Sequence, residues 1–100
     1  MGVTFFDARA ENEFGKELAS AVIEYLSARN LGKTDKKIFE KERAMIDRII
    51  NLVCRYRNEH RLNFYKKAKL ANSFKWALLE SGCSTDFVDE MTKILVIQLR

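Results

Sequence analysis

The sequence predicts an all-α protein, a single helical domain over residues 1–100 built as a four-helix bundle with short connections. Three observations predict it. The 100 residues contain no proline and only four glycines, so little interrupts a helix. Apolar residues recur at the three-and-four spacing of a helix face. Gly, Asn, Ser and Thr stand between the periodic segments, where helix caps belong. A chain of this length forms one domain with one modest core. Its hydrophobic fraction of 47% supplies enough apolar surface to offset the entropy of ordering, which excludes a disordered chain.

The first helix is expected over about Asp7 to Leu31. Thr4 or Asp7 can cap it, and Glu11 and Glu13 suit its positive end. Phe14, Leu18, Ala21, Tyr25 and Ala28 share one face, widened by Val22, Ile23 and Leu26. Gly15 and Ala19, one turn apart, would let a neighbouring helix come close.

Gly32 can end that helix, and Thr34 or Asp35 can cap a second running from about Lys36 toward Arg57. Its apolar positions are Ile38, Met45, Ile49, Leu52, Val53 and Tyr56, with Ile46 and Ile50 alongside. No Gly or Pro interrupts residues 33–81. One helix of that length is unusual in a small domain, so the polar run RNEHRLN is the expected break, with Asn58 or Asn63 as cap.

The third helix then covers about Asn63 to Ser81 and closes at Gly82. Its expected core face is Phe64, Ala68, Ala71 and Leu78, with Phe74 and Leu79 at the edges. Ser84, Thr85 or Asp86 caps the fourth helix, and Asp86, Asp89 and Glu90 load its first turn favourably. Phe87, Val88, Met91, Ile94, Leu95 and Ile97 are its apolar positions. The tail LVIQL is apolar nearly all round. It threads into the core, packs on another chain, or forms a short strand.

Charge is unevenly spread. Residues 1–32, 33–40, 41–75 and 76–100 carry net charges of −2, +1, +7 and −2. Such an asymmetry bears on partners rather than on fold. The two cysteines, Cys54 and Cys83, form no CxxC and sit at no metal-ligand spacing. They are expected to be reduced thiols in a cytoplasmic protein, one of them buried. The longest apolar run, Ile94–Leu99, is too short to span a membrane.

No nucleophile elbow, phosphate loop, zinc-helix motif or calcium loop is present, and His60 is the only histidine. An enzyme is therefore not expected, nor a cofactor or metal. His60 lies among Arg57, Glu59 and Arg61 and reads as a solvated side chain near a helix boundary. The segment WALLESGCSTDFVDEM has the outline of a helix-turn-helix. Its would-be recognition helix, however, opens with Asp86, Asp89 and Glu90, which a phosphate backbone repels.

The stretch RYRNEHRLNFYKKAKLANSFKW, residues 55–76, holds seven Lys and Arg, five aromatics and one acid, Glu59. On a helix, Tyr65, Lys69, Asn72 and Trp76 form one stripe, with Lys66 and Ser73 beside it. That is the composition of a contact surface, where amphipathic aromatics bury area and still find hydrogen bonds. The plain alternative is a solvated face. In it Tyr65 and Trp76 cover the core edge, Lys69 snorkels past them, and the acidic complement lies on helices one and four.

The functional expectation is a small non-catalytic interaction module, an adaptor, inhibitor or regulatory subunit. Tyr65, Lys69, Asn72, Trp76 and Lys66 would dock a partner with an acidic surface, steered by Arg55, Arg57 and Arg61. A homodimer is expected too, because the apolar surface of helices two and four looks wider than one small bundle covers. The alternative is nucleic-acid binding by residues 55–75, with the cations on phosphates and Tyr65 and Trp76 as stacking platforms.

Overall fold

A computed structural model describes residues 7–29 and 35–100, with side chains over 7–26 and 42–100. The described residues form four helices and no strand: α1 (Arg9–Arg29), α2 (Asp35–Glu59), α3 (Phe64–Glu80) and α4 (Thr85–Leu99). The all-α bundle is as the sequence predicts. Thr4, Gly32 and Thr34, and the side chains of Ala28 and Ile38, lie outside what is described.

Local chemistry sets the ends. Asp7 accepts the backbone N–H of Arg9 at 3.3 Å and pairs with its guanidinium at 2.9 Å. That pairing holds the Asp7 carboxyl down at about 2. The chain breaks after α2 at residues 60–63, and Asn63 caps α3 by accepting the N–H of Lys66 at 2.8 Å. At the far end of α3, Gly82 takes φ +96°. Its N–H reaches the Leu79 carbonyl, and the N–H of Cys83 reaches that of Leu78, a paired arrangement that satisfies the last carbonyls. Ser84 caps α4 by accepting the N–H of Phe87 at 3.3 Å. The LVIQL tail is helix, not strand; Leu95 and Leu99 enter the core while Val96 and Ile97 stay exposed.

α1 packs on α2 and α3, and α4 packs on the same two, while neither α1 with α4 nor α2 with α3 is in contact among the described residues. The order around the bundle is thus α1, α2, α4, α3. Tyr56 near the end of α2 meets Glu11 near the start of α1, so these two run antiparallel. All four helices supply the core: Leu18, Ala19 and Val22; Met45, Ile49 and Val53; Leu70, Phe74 and Leu78; Val88, Met91, Leu95 and Leu99. Burial of each large aliphatic or aromatic side chain contributes on the order of 1.5–3 kcal/mol.

The tightest approach is between α1 and α3. A Cβ built on Gly15 would stand 2.7 Å from the Leu70 carbonyl oxygen and 2.9 Å from Ser73 Cβ. The Ser73 hydroxyl donates to the Asn12 carbonyl at 2.7 Å across the same contact. Gly15 therefore lets a helix come close, as its place in the sequence predicts.

The structure also corrects part of the expected core face of α3. Phe64 is 80% exposed, Ala68 is exposed, and the inward stripe is Leu70, Phe74 and Leu78. Both stripes fit helical spacing. Leu78 is buried and Ala71 packs on the core as expected; Phe64 is uncovered because it opens the helix, one residue after the cap. On α1 the fully buried set is Leu18, Ala19 and Val22, with Phe14, Ala21 and Tyr25 only half-buried. On α4, Ile97 points away from the core. Cys54 and Cys83 are both free thiols and both half-buried, so neither is the fully buried cysteine expected.

Candidate functional site

The site is built on α3, and its first turn departs from ordinary helix chemistry. α1 has Glu11 and α4 has Asp86 in the first turn, as a positive helix end favours. α3 has no acid there; Lys66 and Lys67 follow an exposed Phe64. A helix end that carries cations where anions are stabilising is a local conflict. Such conflicts are retained chiefly where function needs them.

At 100° per residue, Tyr65, Lys69, Asn72 and Trp76 fall opposite Leu70, Phe74 and Leu78. The predicted stripe is thus the outward face of α3. Asn72 is exposed and Trp76 is 55% exposed, while Tyr65 and Lys69 are half-buried. Lys69 Nζ sits 5.5 Å from the Tyr65 ring centroid, a cation–π contact that joins two of the four. Tyr65 does not belong to the partly buried residues packed on the core, and more than half of Trp76 meets solvent. Phe64 and Ala68 lie on the flank of α3 toward α4, roughly 100° and 60° round the helix from Tyr65.

The basic residues are dispersed. Lys66 lines a groove of about 350 Å³ with Asp7, Arg9, Glu11 and His60. Arg61 is exposed in the connection before α3. Arg55 and Arg57 sit on α2, which has no contact with α3. Arg57 donates from one Nη to the carbonyl oxygens of Gln98 and Arg100, at 3.2 and 2.8 Å, and so caps the end of α4. The ion pairs among the described residues are Arg9–Asp7 and Lys16–Glu13. None of the seven cations between residues 55 and 75 has a carboxylate partner there. Lys66 nevertheless shares its groove with Asp7 and Glu11, and its charge helps to hold the Asp7 carboxyl low.

Sequence reasoning missed three groups. Phe64 was assigned inward although, as the first residue after a cap, it has no preceding turn to cover it. A groove of about 200 Å³ between α3 and α4, lined by Lys67, Ala68, Val96, Leu99 and Arg100, comes from residues about 30 apart and leaves no local pattern. The third group is a stack at the foot of α1 and α2. Phe14 and Tyr56 rings lie 4.1 Å apart, Tyr56 and His60 rings 4.0 Å apart, and Tyr56 donates its hydroxyl to the buried Glu11 at 2.7 Å. Burial, then the hydrogen bond to the Glu11 carboxylate, pushes the Tyr56 phenol above its ordinary range. His60 itself is exposed beside the end of α2, as expected.

No group of three or more His, Cys, Asp and Glu that could hold a metal ion occurs among the described residues. No helix among them is long and apolar enough to cross a membrane. No family model, curated protein or solved structure matches the chain.

Proposed function

We propose that this chain is a non-catalytic protein-interaction module, acting as an adaptor, inhibitor or regulatory subunit, that docks an acidic partner through the outward face of α3. One observation carries the reading. The outward face of α3 presents Trp76 at 55% exposure beside Tyr65 and Lys69, amid lysines with no carboxylate partner among the described residues. Exposed aromatic surface of this kind marks contact sites, and Trp, Tyr and Arg dominate their energetics. Lys69, held over Tyr65, supplies a positioned charge for an acidic surface. Arg61 and Lys66 lie at the start of the same helix and add to that field, and Arg55 steers from α2 at longer range. The two free thiols suit a reducing compartment, and we assign the protein to the cytoplasm on that ground. A homodimer fits the same reading, using the separate outer face of α4 where Ile97 is half exposed.

The test compares capture from a cell extract by the immobilised protein and by its Lys69→Glu/Trp76→Ala double variant. The expected result is an acidic protein retained by the first and lost by the second, with both proteins folded by circular dichroism. Retention that survives in the folded double variant refutes the docking face. A parallel salt series with a mixed-sequence duplex and single strand gives the competing outcome. Micromolar binding that falls steeply with salt would assign residues 55–75 to nucleic acid instead. Sedimentation of the unmodified protein tests the dimer.

A further inference from the structure

The groove beside the docking face specifies the partner's chemistry. α3 and α4 run antiparallel, so the first turns of α3 meet the last turns of α4, where Lys67 and Ala68 face Val96, Leu99 and Arg100. The floor is apolar. Ala68 ends at its methyl group and leaves the space open, and Val96 stays 37% exposed along one wall. Phe64, one helical turn before Ala68, is exposed outside the groove. A volume of about 200 Å³ is enough for one large side chain, since a cavity of about 150 Å³ holds benzene.

The rim is positive. Lys67 and Arg100 are its two charged side chains, and no Asp or Glu lines it. The start of α3 adds its positive helix end. The opposing negative end of α4 is countered by the Arg57 guanidinium on the Gln98 and Arg100 carbonyls. Of the acids of α4, Asp86, Asp89 and Glu90, the nearest in sequence is Glu90, about 9 Å along the helix from Val96 and about 15 Å from Arg100.

We infer that this groove seats one large apolar side chain of an acidic amphipathic helix, whose flanking carboxylates meet Lys67 and Arg100. The inference rests on the docking reading and adds the partner's shape and charge. A helix is the element that lays an apolar ridge between two antiparallel helices. A second copy of this chain, docked about a two-fold axis here, would bring Lys67 and Arg100 onto their own equivalents, and like charges oppose that. A nucleic acid would meet the rim but leave Val96 and Phe64 uncovered.

Fluorescence anisotropy with labelled helical peptides tests this. The probe carries Phe or Leu anchors at i and i+4 among glutamates. One control replaces the anchors with Ala, and another replaces the glutamates with Lys. Each is titrated into the unmodified protein and into the variants Ala68→Gln, which fills the groove from an exposed helical position, Lys67→Glu and Trp76→Ala. The acidic anchored peptide should bind, and lose at least tenfold on removal of the anchor, on charge reversal and in Ala68→Gln. Equal binding of all three peptides, or binding indifferent to Ala68→Gln and Lys67→Glu, overturns the inference. Loss in Trp76→Ala without loss in Ala68→Gln removes the groove and keeps the docking face. No binding of any probe at low salt removes both. Self-association of the unmodified protein that Ala68→Gln abolishes would make a second copy the occupant and overturn the proposal as well.

Discussion

The Leu70 carbonyl oxygen lies 2.7 Å from the point where a side chain on Gly15 would begin. Backbone stands there, and it cannot swing aside as a flexible side-chain tip would. Gly15→Ala should therefore force α1 and α3 apart, at about 1–3 kcal/mol of overpacking. Against this stands the roughly 1 kcal/mol by which Ala outranks Gly inside a helix. The expected outcome is a lower urea midpoint with an unchanged slope. A stabilised variant would mean that the two helices do not approach this closely.

Gly82→Ala should also destabilise, for a different reason. No atom lies within 4 Å of a Cβ there, so packing is indifferent. The left-handed backbone, φ +96°, is what an L side chain opposes, by roughly 1–2 kcal/mol. Gly82→Asn should recover part of the loss, since Asn tolerates that region. At Gly15, where the obstacle is steric, Asn should be worse than Ala. Parallel denaturation of the four variants separates the two mechanisms.

Tyr56→Phe keeps the ring between Phe14 and His60 but removes the hydroxyl that Glu11 accepts. Glu11 is 4% exposed, so its carboxylate would be left without that donor at a loss of about 1–3 kcal/mol. The pH dependence follows from the raised phenol. In the unfolded chain Tyr56 ionises near its ordinary value of 10.0, while the fold keeps it protonated to higher pH. Its contribution is fully present below pH 10 and is lost as pH rises through the folded value. The difference in stability between the unmodified protein and Tyr56→Phe should shrink above pH 10. Equal pH profiles would contradict the Glu11 contact.

Arg57 and Trp76 should separate stability from docking. Arg57→Ala removes the guanidinium from the last carbonyls of α4 and should lower stability by about 0.5–1 kcal/mol. Partner binding should weaken far less than in Trp76→Ala, because Arg57 only offsets the negative end of α4 beside the groove and does not stand on α3. Trp76→Ala should do the reverse, with stability within about 0.5 kcal/mol and binding weakened at least tenfold. Thermal unfolding and a binding titration on both variants decide it.

The features legible in the sequence are those that depend on one segment. Asn63, Gly82 and Ser84 mark helix ends by their own hydrogen-bonding and backbone chemistry. The stripe of Tyr65, Lys69, Asn72 and Trp76 follows from helical spacing alone. What could not be read depends on partners far away in the chain. On α3 the expected Leu78, Phe74, Ala71 and Leu79 do meet the core; what spacing could not show is that Leu70 is drawn fully inward beside Gly15, some 55 residues earlier, and that nothing covers Phe64. Glu11 looks like an ordinary first-turn acid until Tyr56, 45 residues on, arrives to bury it. The α3–α4 groove has the same origin: neither Ala68 nor Val96 is unusual on its own helix.

Trp76 is the chain's one tryptophan and stands at the centre of the docking claim, so its fluorescence reads the face directly. The decisive measurement is its emission during titration with the acidic protein that the Lys69→Glu/Trp76→Ala comparison identifies. Docking through this face predicts a shift to shorter wavelength and protection from iodide quenching, both saturating with the binding isotherm, as the half-exposed indole leaves water. Binding that saturates while the emission and quenching stay those of the free protein would contradict it, and would move the partner's site away from the outward face of α3.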